Sequence, residues 1–236
     1  MNKVLSLLSV FLITALVSAC DHNGGSDPDM DLDLNNPTIK NLIVEIDDED
    51  LVFLKEAGLE LNIAIKVNNT FNVVWYSDSD YLEINKYQWS PTFELYGSND
   101  FQAGSTVEMQ TNTVSTELGQ EATLDSAGDL GPAMDGGPTD SISFINNFGP
   151  IHPGLAQQLI EPSGTVAILP TYVTPDPIIA GTEVLTPVNE VILWFEENTT
   201  GTQFSELPSV SFMVELTGLD EITVLYTDGE WSISDM

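Results

Sequence analysis

From residue 38 onward the chain is cut into short β-favouring runs by clusters of Gly, Pro, Asn and Asp, and this punctuation limits the possible folds more than any other feature. Eleven such runs stand out, at 39–46, 61–67, 71–76, 92–96, 106–111, 142–145, 165–169, 191–195, 210–216, 222–226 and 231–233. Several alternate apolar and polar residues with period two, the mark of a half-buried strand. Phe93 and Leu95 do so, as do Ile222, Val224 and Tyr226, and Val210, Phe212, Val214 and Leu216 with Met213 opposite. Val191-Ile192-Leu193-Trp194-Phe195 is apolar throughout and predicts a strand buried on both faces. Asp228-Gly229 joins the last two runs and is a strong hairpin signal. One stretch predicts a helix, because Asp47-Asp48-Glu49-Asp50 favours the positive end of a helix dipole and Gly58 suits its left-handed terminus. The expected class is therefore all-β, a two-sheet sandwich or jelly-roll-like domain with one short helix. Residues 38–236 are long enough for one such domain. The stretches 119–164 and 170–187 are rich in Gly and Pro, and are expected to be long loops over the rim, where binding surfaces usually sit.

The first twenty residues, MNKVLSLLSVFLITALVSAC, follow a different logic. Lys3 is a positive n-region, and residues 4–17 form a nearly unbroken apolar run. A spanning helix needs about 20 apolar residues, so this run suits a signal peptide instead. It ends in Leu16-Val17-Ser18-Ala19-Cys20, which resembles the lipobox of bacterial lipoproteins. That resemblance implies a signal peptide at 1–19, cleavage before Cys20, a diacylglycerol thioether on Cys20 and acylation of its new amine. Cys20 is the chain's single cysteine, and an unpaired thiol would be a liability in an oxidising compartment. Two or more acyl chains anchor stably where one does not. Asp21 resembles the inner-membrane retention signal of enterobacterial lipoproteins, but His22 is not among the residues that strengthen it. The expected location is the bacterial cell envelope, on the inner or outer membrane.

Residues 21–37, DHNGGSDPDMDLDLNNP, have the composition of an acidic flexible tether. The alternating Asp27, Asp29, Asp31 and Asp33 suggest an EF-hand loop, but Leu32 takes the place of its glycine and Thr38 that of its bidentate Glu. After Cys20 the chain carries 37 acids against Lys40, Lys55, Lys66 and Lys86, a net charge of −33 before the termini, and no arginine. Such a chain lacks the clustered cations that nucleic acid requires. It would also be repelled by anionic lipid, so the membrane link is the lipid anchor itself. An organism living in salt would tolerate that charge at low cost.

Catalytic chemistry finds little support. His152 is the one histidine outside the tether, flanked by Pro150 and Pro153, and is expected to hydrogen-bond within a rigid loop, with a ligand role as the alternative. No Gly-x-Ser-x-Gly elbow accompanies it, and one histidine without cysteine does not make a usual zinc site. Asp78-Ser79-Asp80, Asp220-Glu221 and Glu196-Glu197 are compact oxygen donors. The pairs Asp78 with Asp80 and Asp220 with Glu221 are candidates for calcium, although a hydrated acidic loop explains them more simply. Trp75-Tyr76, Tyr87-Gln88-Trp89, Trp194 and Trp231 could include a sugar-stacking platform. The Trp75 and Trp194 runs have the composition of core, so Tyr87 and Trp89, in the more polar stretch 81–89, are the candidate glycan contacts. The expectation is a membrane-anchored lipoprotein with a non-enzymatic binding or interaction domain for a glycan or protein ligand, and no cofactor unless calcium. The alternative is a surface-anchored carbohydrate-active enzyme using paired carboxylates.

Overall fold

The computed structural model describes residues 39–234, all within one compact unit, Asn36–Met236. Cys20, the signal peptide and the tether lie outside the described residues. The expected all-β class is what the structure shows, with one helix and three hydrogen-bonded sheets among the described residues. The largest contains β1 (Lys40–Ile46), β4 (Ile84–Ser98), β5 (Val114–Thr116), β9 (His152–Ile160), β10 (Val166–Val173), β14 (Glu221–Thr227) and β15 (Glu230–Ile233). Its order is β10-β9-β4-β1-β14-β15, with β5 also paired to β4. A second sheet runs β13-β12-β2-β3, from β2 (Glu60–Val67), β3 (Tyr76–Asp78), β12 (Pro187–Glu196) and β13 (Phe212–Glu215). A third runs β11-β8-β6-β7, from β6 (Gln120–Leu124), β7 (Met134–Asp135), β8 (Ile142–Asn146) and β11 (Gly181–Leu185).

Alternation places the cores. Leu42 and Val44 of β1, Tyr87 and Trp89 of β4, Leu159 of β9 and Val224 of β14 share the inner face of the large sheet. They meet Leu61, Ile63, Ile65, Val191, Leu193 and Val214 of the second sheet. Fully burying each aliphatic side chain here is worth about 1.5–3 kcal/mol. Beyond Trp89 the long β4 bulges, and its Phe93 and Leu95 face a second core against Leu124, Ile142, Phe144 and Leu185 of the third sheet. The bulge contains Pro91, and the buried Gln157 of β9 donates through Nε2 to the Ser90 carbonyl (2.6 Å), filling an acceptor that the ladder leaves open. As expected, residues 191–194 are buried on both faces. Ile192 and Trp194 point outward to Phe71 and Val74, so of the strand expected at 71–76 only Tyr76 enters β3, and the rest is an irregular cover.

Helix α1 (Asp48–Glu56) begins where its acids place it. Asp47 caps it by accepting from Glu49 N (3.0 Å), and Gly58 follows with φ +70°. Asp228 (φ +55°) and Gly229 (φ +77°) make the expected hairpin turn. The strands expected at 142–145 and 165–169 are β8 and β10, but the Gly/Pro-rich stretches 119–164 and 170–187 otherwise depart from the loops expected, because β6, β7, β9 and β11 lie within them. Gly154 shows why. It sits inside β9 opposite Tyr96, and a Cβ there would come within 2.3 Å of the phenol ring, so the glycine admits an aromatic side chain instead of marking a loop. His152, expected in a loop, is likewise in β9.

Candidate functional site

The segment Ser79–Glu83 between β3 and β4 is exposed at its tip and fixed at both ends. Asp78 is buried, and both its oxygens are engaged: Tyr87 Oη donates to Oδ2 (2.7 Å) and Asp80 N donates to Oδ1 (2.9 Å). Asn85 is 1% exposed, and its amide closes a ring with Leu82, accepting from Leu82 N (2.7 Å) and donating to Leu82 O (2.7 Å). Lys55 of α1 donates to the Ser79 carbonyl (2.6 Å) while its Nζ lies 3.8 Å from the centre of the Tyr81 ring. Tyr81 is buried, donates to the Leu59 carbonyl (2.9 Å), and has its phenol pushed up to about 12 by burial, then by Asp78 and Glu60. The result is a short loop pinned at Ser79, Asp80, Tyr81, Leu82 and Glu83, presenting Leu82 with Ile84 at the start of β4, each 65% exposed.

On one side of Leu82 lies an acidic cleft of about 290 Å³, lined by Tyr76, Asp78, Asp80, Asn85 and the β9–β10 turn at Glu161, Pro162 and Ser163. Burial, then the charges of Asp78 and Glu161, push the Tyr76 phenol well above its ordinary value, so it remains a donor facing the cleft. On the other side a shallower depression of about 390 Å³ is lined by Leu51 of α1 with Leu82, Glu83 and Ile84. Glu83 there lies beside the start of α1, its carbonyl accepting from Ile46 N (2.8 Å), and its carboxyl is held above its ordinary value by hydrogen bonding with Asp48, then by the charge of Asp48.

The candidates named from sequence are only partly brought together. Asp78 and Asp80 line the acidic cleft, but each Asp78 oxygen already accepts an internal hydrogen bond. Asp220 and Glu221 lie elsewhere, at the start of β14, paired with Lys40 (3.4 Å) and Lys86 (3.5 Å). Among the described residues no group of three or more His, Cys, Asp or Glu is arranged to hold a metal ion. The stretch 81–89 reverses the expected exposure. Tyr81, Tyr87 and Trp89 are buried while Leu82 and Ile84 face water, so neither Tyr87 nor Trp89 offers a face to a sugar. Trp231 is stacked between Phe195 (5.2 Å) and Phe212 (6.0 Å), and Trp75 and Trp194 are fully buried. All four tryptophans therefore serve packing. His152 is 7% exposed, and its Nδ1 lies 2.7 Å from the Thr174 carbonyl; a carbonyl only accepts, so Nδ1 carries the proton. Leu82, Ile84, Asn85 and Glu161 were not singled out by sequence. The available signal was parity: residues 82 and 84 oppose the odd-numbered aromatics 81, 87 and 89.

In comparisons with known proteins, no family model, no curated protein and no solved structure matches the chain. No helix among the described residues is long and apolar enough to cross a membrane.

Proposed function

We propose that this chain is a lipid-anchored protein of the bacterial cell envelope whose β unit is a binding module, with the Ser79–Glu83 segment as its contact surface. The observation that carries the binding reading is pre-organisation. Exposed Leu82 and Ile84 stand on a loop fixed by Asn85, Asp78, Tyr87 and Lys55, so little ordering entropy opposes a partner there. The anchor rests on Cys20 at the lipobox position, with residues 21–37 as the spacer. The carbohydrate-active alternative loses one of the three carboxylates that line the acidic cleft, which leaves it Asp80 and Glu161. Asp78 has both oxygens occupied by internal donors and is a poor nucleophile or acid.

The anchor is tested by labelling cells with an alkyne-bearing palmitate analogue and partitioning lysates in a phase-separating detergent. The expected result is labelled protein in the detergent phase, and for Cys20→Ala an unlabelled, uncleaved precursor. A wild-type protein that takes up no label and stays in the aqueous phase refutes the anchor and leaves the binding surface to be judged separately.

A further inference from the structure

We infer that the surface formed by Leu51, Leu82 and Ile84 docks a basic amphipathic segment of a partner protein, apolar side chains over the aliphatic floor and a lysine or arginine bridging Asp48 and Glu83. This deepens the binding-module reading and does not depend on the anchor. The floor is apolar and solvent-exposed: Leu82 and Ile84 are each 65% exposed, and Leu51 of α1 completes it. A depression of about 390 Å³ between α1 and the loop is large enough to seat a partner side chain. The loop is also tied to the sheet: Ile46 N donates to the Glu83 carbonyl (2.8 Å), and Ile84 pairs with Glu45 of β1.

Charge selects the occupant. The rim carries exposed Asp48, Glu49, Asp80 and Glu83, and the neighbouring cleft adds Glu161. Glu83 is tied to the β1–α1 junction through Ile46 N and the Glu45–Ile84 pair, which brings it beside Asp48 at the start of α1, where two like charges repel unless a proton or a cation sits between them. Lys55 does not serve them, because its ammonium is directed to the Ser79 carbonyl and the Tyr81 ring. A second copy of this chain, at −32, would meet the same sign of charge, and so would the tether with Asp27, Asp29, Asp31 and Asp33. An anionic bilayer fails for the same reason. A cationic amphipathic polypeptide satisfies floor and rim together.

The test uses the full chain in detergent and a fluorescent helical peptide of about 18 residues with a leucine face and a lysine face, beside a control peptide with glutamate replacing lysine. Binding is read by anisotropy at two salt concentrations, with Ile84→Ser and the double variant Asp48→Asn/Glu83→Gln. The lysine peptide is expected to bind and the glutamate peptide not. Each variant should weaken binding about tenfold, equivalent to ~1.4 kcal/mol, with a cooperative unfolding transition retained. Glu197→Gln/Glu206→Gln removes the same two charges from another exposed site and should cost less than about twofold, since generic attraction follows net charge. Equal losses in the two double variants, an unchanged affinity in Ile84→Ser, or no binding at all would overturn the inference. So would loss of self-association, or of binding to zwitterionic vesicles, in Ile84→Ser without any peptide binding, since the surface would then belong to a second copy or to lipid.

Discussion

Gly154→Ala is a demanding test of how the large sheet is packed. In an ordinary strand that substitution stabilises by about 0.5–1 kcal/mol, because glycine loses more backbone freedom on folding. Here the new methyl would fall 2.3 Å from Cζ, 2.6 Å from Cε2 and 2.6 Å from Oη of Tyr96. Ordinary carbon contacts lie at about 3.5–4.0 Å, so the ring must withdraw by more than an ångström. It has nowhere to go. Tyr96 is fully buried, and its hydroxyl donates to the Tyr172 carbonyl (2.9 Å) across β9. Overpacking costs about 1–3 kcal/mol, and an unmade buried hydrogen bond adds about 1–3 kcal/mol. Set against the backbone gain, the net loss is about 3 kcal/mol, a fall in Tm of roughly 6–12 °C for a domain near 200 residues. Urea unfolding followed by tryptophan fluorescence measures it. The strongest evidence is a double-mutant cycle, because on a Tyr96→Ala background the added methyl enters vacated space and should be neutral or favourable. A Gly154→Ala protein as stable as wild type, or equal costs on both backgrounds, would refute the packing argument.

Three further outcomes follow from the same geometry. Tyr87→Phe removes the donor to Asp78 Oδ2 within the core and should cost about 1.5–3 kcal/mol by urea denaturation; a loss below about 0.5 kcal/mol would mean that water replaces the phenol. Glu83 is raised by its contact with Asp48, so it contributes stability when protonated, and that contribution is lost as pH rises from the ordinary glutamate value through the raised one. Carbon-detected NMR titration should show Asp48→Asn returning Glu83 toward the ordinary value, and an unchanged midpoint would show that the carboxylates do not interact. Removing calcium with a chelator should leave Tm unmoved, since Asp78 is occupied by internal donors and Asp220 and Glu221 face lysines; a fall of several degrees would place a cation among them.

Much of the strand pattern could be read from alternation, because inward and outward residues are set by local parity. The last hairpin and α1 were legible for the same reason: Asp228-Gly229 and Asp47 with Gly58 encode their backbone angles locally. The Gly/Pro-rich middle was not, because Gly154 answers to Tyr96, a residue 58 positions away. A glycine that admits an aromatic ring and a glycine that turns a loop are the same letter. The stretch 81–89 was misjudged in phase rather than in type. Its alternation was present, but polarity suggested that the aromatics faced water, whereas Asn85 bonded to Leu82 and Asp78 bonded to Tyr87 carry the polar groups inward.

The site itself depends on sheet order, which local pattern does not contain. Leu51 meets Leu82 and Ile84 because α1 follows β1 and β4 lies beside β1, and Glu161 reaches the cleft because β9 lies on β4's other side. Charge could not have located it either. With 37 acids in the chain, a carboxylate is the background, and a nearly uniform negative field attracts cations everywhere without favouring one place. What separates one acid from another is its contacts: Asp78 is consumed by two donors, Asp220 and Glu221 by lysines, while Asp48 and Glu83 face each other. In such a field the sign of a partner is fixed by the whole surface, and its position must be fixed by something scarcer. Leu82 and Ile84, aliphatic and held in place, supply that position, which is why a single exposed serine substitution at Ile84 is expected to matter more than the loss of two carboxylates elsewhere.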